Sequence, residues 1–187
     1  VPILFWLNKS NMKKVFIQVI LVSGSLTAVA YFLFLILLYV MDLNPFGQYK
    51  MIYLPIYALG IVGGLKFYRD YRNGGYIGGG IAIFLALFIN ICASFLYACL
   101  VYVLLAYVDS SVLELHKKEL TELLLKYKEV ENLDIKQYEA QFESIKSISA
   151  STIAIDEWIK TLFVGLIMGM VIGLIFKRSP PPAENTA

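Results

Sequence analysis

The chain has 187 residues, 59% of them hydrophobic and only 16% charged, with a mean hydropathy of +0.70 and a formal net charge of +2. A soluble globular domain carries roughly 25% charged residues, so this composition excludes a chain solvated by water alone. The single histidine leaves no second one for a metal site or a proton relay.

Met12-Lys13-Lys14 looks like an ordinary bacterial start, which makes residues 1–11 an upstream extension, or an interfacial anchor through Phe5-Trp6-Leu7. Four apolar runs follow: Val15 to Met41 (27 residues), Met51 to Leu65 (15), Ile81 to Val108 (28) and Thr161 to Phe176 (16). A helix needs about 20 residues to cross a hydrocarbon core of roughly 30 Å. The first and third runs suffice as they stand, and the second and fourth do when extended to Phe67 and Trp158. Ala28-Val29-Ala30 imitates a signal-peptide cleavage site, but the chain from Tyr31 to Tyr39 is more apolar still, so the first run stays as an anchor. The expectation is an all-α polytopic membrane protein with four transmembrane helices.

In the first helix, Gly24, Ala28 and their small neighbours lie in the half nearest the N-terminus. Small residues let backbones approach closely in lipid, so that half is expected to pack in the bundle and the other half to face lipid more. Asn44-Pro45-Phe46-Gly47 reads as a turn. The second helix opens near Pro55, where a missing N–H costs least, and carries Gly60, Gly63 and Gly64. It is expected to run on to Arg72 or Asn73 and stop at Gly74. The third holds Asn90, read as interhelical glue ahead of a substrate path, and Cys92 and Cys99, read as buried small hydrophobes too far apart to bridge.

Residues 109–157 then carry six lysines against eleven acids. Leu113, Leu120, Leu123, Leu124 and Tyr127 recur at a helical period; Ile135, Tyr138, Phe142 and Ile145 form a second stripe. Asn132 and Leu133 break the pattern, and Asp134 with Gln137 makes a capping box. This predicts an external amphipathic hairpin, with His116 on its solvated side. The last helix carries Gly165, Gly169 and Gly173 at spacing four, a small-residue groove for packing within the monomer or across a homodimer.

Orientation is read from Lys and Arg in the connections. Lys9, Lys13 and Lys14 precede the first run; Lys66, Arg69 and Arg72 follow the second; Lys177 and Arg178 follow the fourth. These alternate connections sum to about +6 on one side and −4 on the other, as four spans with both termini inside require. The segments expected are therefore a cytoplasmic 1–14, helices one to three in 15–108, the external hairpin 109–157, helix four 158–178 and a flexible cytoplasmic tail 179–187.

The stretch Gly64-Leu65-Lys66-Phe67-Tyr68-Arg69-Asp70, with Gly74-Gly75, Val164-Gly165-Leu166-Ile167 and Lys177-Arg178, resembles an uncharacterised bacterial membrane-protein family, domain-of-unknown-function family 4199. The likeness covers roughly Met12 to Arg178. It departs at Phe163, where the family has proline, and at Gly78-Gly79-Gly80, where the family is more polar. The resemblance implies four helices and a bacterial inner (cytoplasmic) membrane, and no chemistry.

Lys66, Tyr68, Arg69 and Arg72 beside Gly74 and Gly75 form a candidate contact for a lipid phosphate, since cationic side chains next to free backbone donors hold phosphates. The plainer reading is that these charges fix topology and snorkel. The functional expectation is a non-catalytic membrane accessory or scaffold protein that is not an enzyme and has no cofactor. Its partners would be the bilayer and a membrane protein or second copy, with no nucleic acid. The alternatives are an anionic-lipid-binding protein using the Lys66/Arg69/Arg72 cluster, and third a small transporter with an aqueous cavity at Asn90.

Overall fold

The computed structural model describes the backbone of residues 2–131 and 134–178, and the side chains of residues 14–128 and 134–178. The break expected at Asn132 and Leu133, the tail 179–187 and the side chains of Phe5, Trp6 and Leu7 lie outside the described residues. The elements in chain order are α1 (Pro2–Val40), a 3₁₀ turn (Gln48–Tyr53), α2 (Leu54–Phe67), α3 (Gly79–Val103), α4 (Ser111–Glu131), α5 (Ile135–Lys146) and α6 (Ala150–Phe176). Both α2 and α3 are prolonged by one π-helical turn, at Tyr68–Arg72 and Leu104–Val108. Among the described residues, four segments are long and apolar enough to cross a membrane: Lys14–Val40, Gln48–Arg72, Gly79–Val108 and Ala150–Phe176.

The core sits along α3. Its small residues Ala82, Ala86 and Ala93 recur at helical spacing and are fully buried with Leu85 and Ile89, while Phe84, Phe88 and Phe95 on the other side are exposed. Where lipid removes the hydrophobic drive, close approach of small residues supplies the packing energy instead. α6 lies against this face, and a side chain at Gly165 would overlap Asn90 while one at Gly173 would come within 2.8 Å of the Ile83 Cα. Gly169 meets Ala86 at an ordinary 3.5 Å. Gly24 abuts Cys92, Gly60 abuts Thr27, Gly64 abuts Ile89 and Ser23, and Ala28 is buried. The glycine face of α6 is thus occupied by α3.

Several expectations need correction. The far half of α1 is packed as well as the near half, because Tyr31, Leu35 and Leu38 turn one stripe inward. α6 starts at Ala150, ahead of Trp158, since Ser149 caps it by accepting from the Thr152 N–H (3.2 Å). The Asp134 side chain makes no capping bond to α5; that helix end is exposed, so water can satisfy its N–H groups. Cys99 is exposed and not buried.

Two tight connections set the ends of the bundle. α1 closes with the Asp42 and Leu43 N–H groups donating to the Tyr39 and Leu38 carbonyls (both 3.0 Å), and Asp42 in the left-handed region at φ 57°. At the other end, Gly74 (φ 63°) and Gly75 (φ 87°) turn the chain out of the π turn. Ile77 then pairs antiparallel with Arg178, each N–H donating to the other's carbonyl (3.0 and 2.9 Å), which ties the α2–α3 turn to the end of α6.

Candidate functional site

Three places collect polar chemistry: the bundle interior, the mooring of α4 and the basic turn. In the interior, the 3₁₀ turn swings Lys50 inward and the extended start of α6 brings Glu157 opposite it. Nζ and Oε1 lie 2.5 Å apart, with the carboxylate side chain 2% exposed. Tyr97 donates to the other Glu157 oxygen at 3.3 Å. Tyr31 stacks between Tyr97 and Tyr53, at ring separations of 3.9 and 4.2 Å, and among the described residues its buried hydroxyl has no hydrogen-bond partner. Deeper, Asn90 ties three helices together: Tyr57 donates to Asn90 Oδ1 (2.8 Å), and Asn90 Nδ2 donates to the Leu162 carbonyl (3.0 Å). Asn90 is fully buried, so it lines no water-accessible path. In a low-dielectric interior such charges persist only when paired and hydrogen-bonded.

Above this column α4 is moored to the α1–α2 turn. The Phe46 N–H donates to Asn44 Oδ1 (3.0 Å), which fixes the amide with Nδ2 free to donate. Nδ2 then reaches Glu119 and, at 3.0 Å, His116 Nδ1. His116 Nδ1 is therefore the acceptor and the ring is neutral, with its proton on Nε2. Its ring packs edge-on against Phe46. Burial holds the imidazole pKa below its ordinary value, opposed by Glu119 and Asp156 and assisted by Lys160 and Lys50. His116 is thus a seated group and not the solvated one expected. Asp109 makes a second mooring point, accepting from Tyr39 (2.7 Å) and from the Ser111 hydroxyl (2.6 Å) and N–H (2.9 Å). Those bonds, Ser111's first, hold its carboxyl below the usual range.

At the basic turn the residues singled out do not form one cradle. Tyr68 is buried, edge-on to Phe16. Arg69 pairs with Asp70 (2.6 Å) and lies over the Phe176 ring at 5.5 Å. The Gly75 N–H, expected to be a free donor, is taken by the Arg69 carbonyl at 2.8 Å. Gly74 has open space around it, and Lys66 and Arg72 are exposed. Arg72 lies over the Phe67 ring and lines one end of a groove of about 760 Å³ between α1 and α2. Among the described residues, no group of His, Cys, Asp and Glu is placed to hold a metal ion.

Four apolar spans around a packed glycine–alanine core, with an amphipathic hairpin set outside them, define an all-α polytopic membrane protein. The chain belongs to the family described as "Protein of unknown function (DUF4199)", which matches residues 23–178. No curated protein and no solved structure matches it.

The basic turn was visible as a charge cluster between apolar runs. The interior ion pair was missed because its members stand 107 positions apart, each at the edge of an apolar run. One signal was available: Lys50 directly precedes the second run, and Glu157 directly precedes the fourth once that run is extended to Trp158.

Proposed function

We propose that the protein is a non-catalytic accessory or scaffold protein of a bacterial inner membrane, with both termini and the α2–α3 turn in the cytoplasm and the α4–α5 hairpin outside. The orientation rests on Lys14, Lys66, Arg69, Arg72, Lys177 and Arg178, which the chain order gathers at one end of the spans. The assembly role rests on the hairpin. α5 has no buried residue, and Leu123 and Ile135 are 52% and 65% exposed on an arm that lies beyond the four spans. A two-helix unit of this size has too little core to cover its own apolar side chains, so a protein partner, another membrane protein or a second copy, covers them.

The test is the size of the protein in mild detergent, read by light scattering. The wild-type chain is expected in a species larger than its own monomer, and Leu123→Glu with Ile135→Glu is expected to release monomer while the helical circular dichroism stays intact. A wild-type preparation holding only unaccompanied monomer removes the scaffold reading.

A further inference from the structure

The groove between α1 and α2 has features that the scaffold role does not use. It runs along α1 from Val15 to Ala30, about 22 Å at 1.5 Å per residue. Half of a roughly 30 Å hydrocarbon core is about 15 Å, so the groove is deep enough for one leaflet. Its walls are apolar and open sideways, with Leu26 and Leu59 66% and 69% exposed. A Cβ at Gly63 would meet nothing within 4 Å, whereas Gly60 and Gly64 on the same helix are in tight contact with α1. Gly63 lies along α2 between Gly60 and Gly64, so it faces an open flank beside the α1–α2 contact and not the contact itself.

The groove changes character at its basic end. Arg72 and Gln18 line it there, and Lys14, one turn before Gln18, opens the α1 span. Arg69 is held by Asp70, but Arg72 has no carboxylate within ion-pair distance among the described residues. A long apolar channel of leaflet depth that ends in an uncompensated guanidinium matches an anionic glycerophospholipid, with its acyl chain along Gly63 and its phosphate at Arg72. Guanidinium suits that phosphate because its planar donors fit two phosphate oxygens.

We propose that this groove is a binding site for one anionic phospholipid. It differs from a general basic surface in placing the selectivity on Arg72 and the capacity on Gly63, and in leaving Arg69 out.

The full chain, reconstituted in vesicles of phosphatidylcholine with phosphatidylglycerol, is probed with spin-labelled forms of each lipid. The wild type is expected to restrict phosphatidylglycerol several-fold in preference to phosphatidylcholine. Arg72→Ala is expected to abolish the preference, Arg69→Ala to retain it, and Gly63→Leu to lose about one restricted lipid per chain, as a single site requires. Leu59→Trp, on the exposed wall of the groove, repeats the blocking test should Gly63→Leu fail to fold. Undiminished preference in Arg72→Ala, or an unchanged restricted population in both blocking variants, overturns the proposal. Loss of preference in Arg69→Ala equal to that in Arg72→Ala also overturns it, since that is the behaviour of a diffuse basic surface.

Discussion

The two ends of the bundle carry charge in opposite ways. At the end bearing α4, Lys50 and Glu157 are removed from solvent, and Glu157 also accepts from Tyr97 beneath a tyrosine stack. At the other end, Lys66 and Arg72 are exposed, and the Arg69–Asp70 pair is only partly covered. Buried charge fixes geometry, because either partner left alone is strongly unfavourable; exposed charge fixes orientation and attracts anions at little cost in stability. One end of the protein is therefore rigidly specified, and the other leaves its cations open to solvent.

The largest expected break in this contrast is Glu157→Ala or Lys50→Ala. Each leaves one buried charge unpaired and is expected to cost about 3–5 kcal/mol, while Lys50→Met with Glu157→Leu recovers most of it. Thermal unfolding in detergent micelles measures both; single losses below about 1 kcal/mol would mean the pair is wetter than its burial implies.

Next in size is Gly165→Ala, whose methyl displaces Asn90 from its bonds to Tyr57 and Leu162. The expected loss is about 1–3 kcal/mol, and Asn90→Ala in the same background should add little. Full additivity of the two in the unfolding assay would show that they do not act through one another.

His116 sharpens the contrast by pH. Its folded pKa is depressed, so the stability it contributes is complete above the unfolded value near 6.5 and is lost as pH falls from there through the folded value. Protonation puts a proton on the nitrogen that accepts from Asn44, so α4 should loosen from the α1–α2 turn by about 1 kcal/mol. Hydrogen exchange in α4, corrected for intrinsic rates, should accelerate between pH 7.5 and 5.5 in the wild type and not in His116→Gln. Equal acceleration in both would place the titration elsewhere.

Smallest is Asp70→Asn at the exposed end. It is expected to leave the unfolding midpoint unmoved, and a clear drop would show that this end is as specified as the other.

The sequence carried the spans and the hairpin because both are written in local periodicity: uncharged runs for lipid, and Ile135, Tyr138, Phe142 and Ile145 for the amphipathic stripe. It did not carry the interior. Lys50 and Glu157 are each unremarkable at the end of an apolar run, and only the 3₁₀ turn and the early start of α6 bring them together. His116 looked solvated because its partners, Asn44 and Phe46, lie more than 60 residues earlier, in a turn. The groove was invisible for the same reason: Gly60, Gly63 and Gly64 look alike in sequence, and only the rotation of α2 against α1 turns Gly60 and Gly64 into the contact and leaves Gly63 on the open flank.

The pairing of Ile77 with Arg178 has a consequence for the order in which the chain is completed. A loop made less than halfway through synthesis presents one N–H and one carbonyl that stay unmatched until Arg178, two residues past the final helix, arrives. Ile77 itself is fully buried, so the closure fixes an apolar side chain of the core together with the two backbone groups. The fourth span is thus a latch for the turn between the second and third, and a chain cut before Arg178 would keep its spans while its basic end stood open.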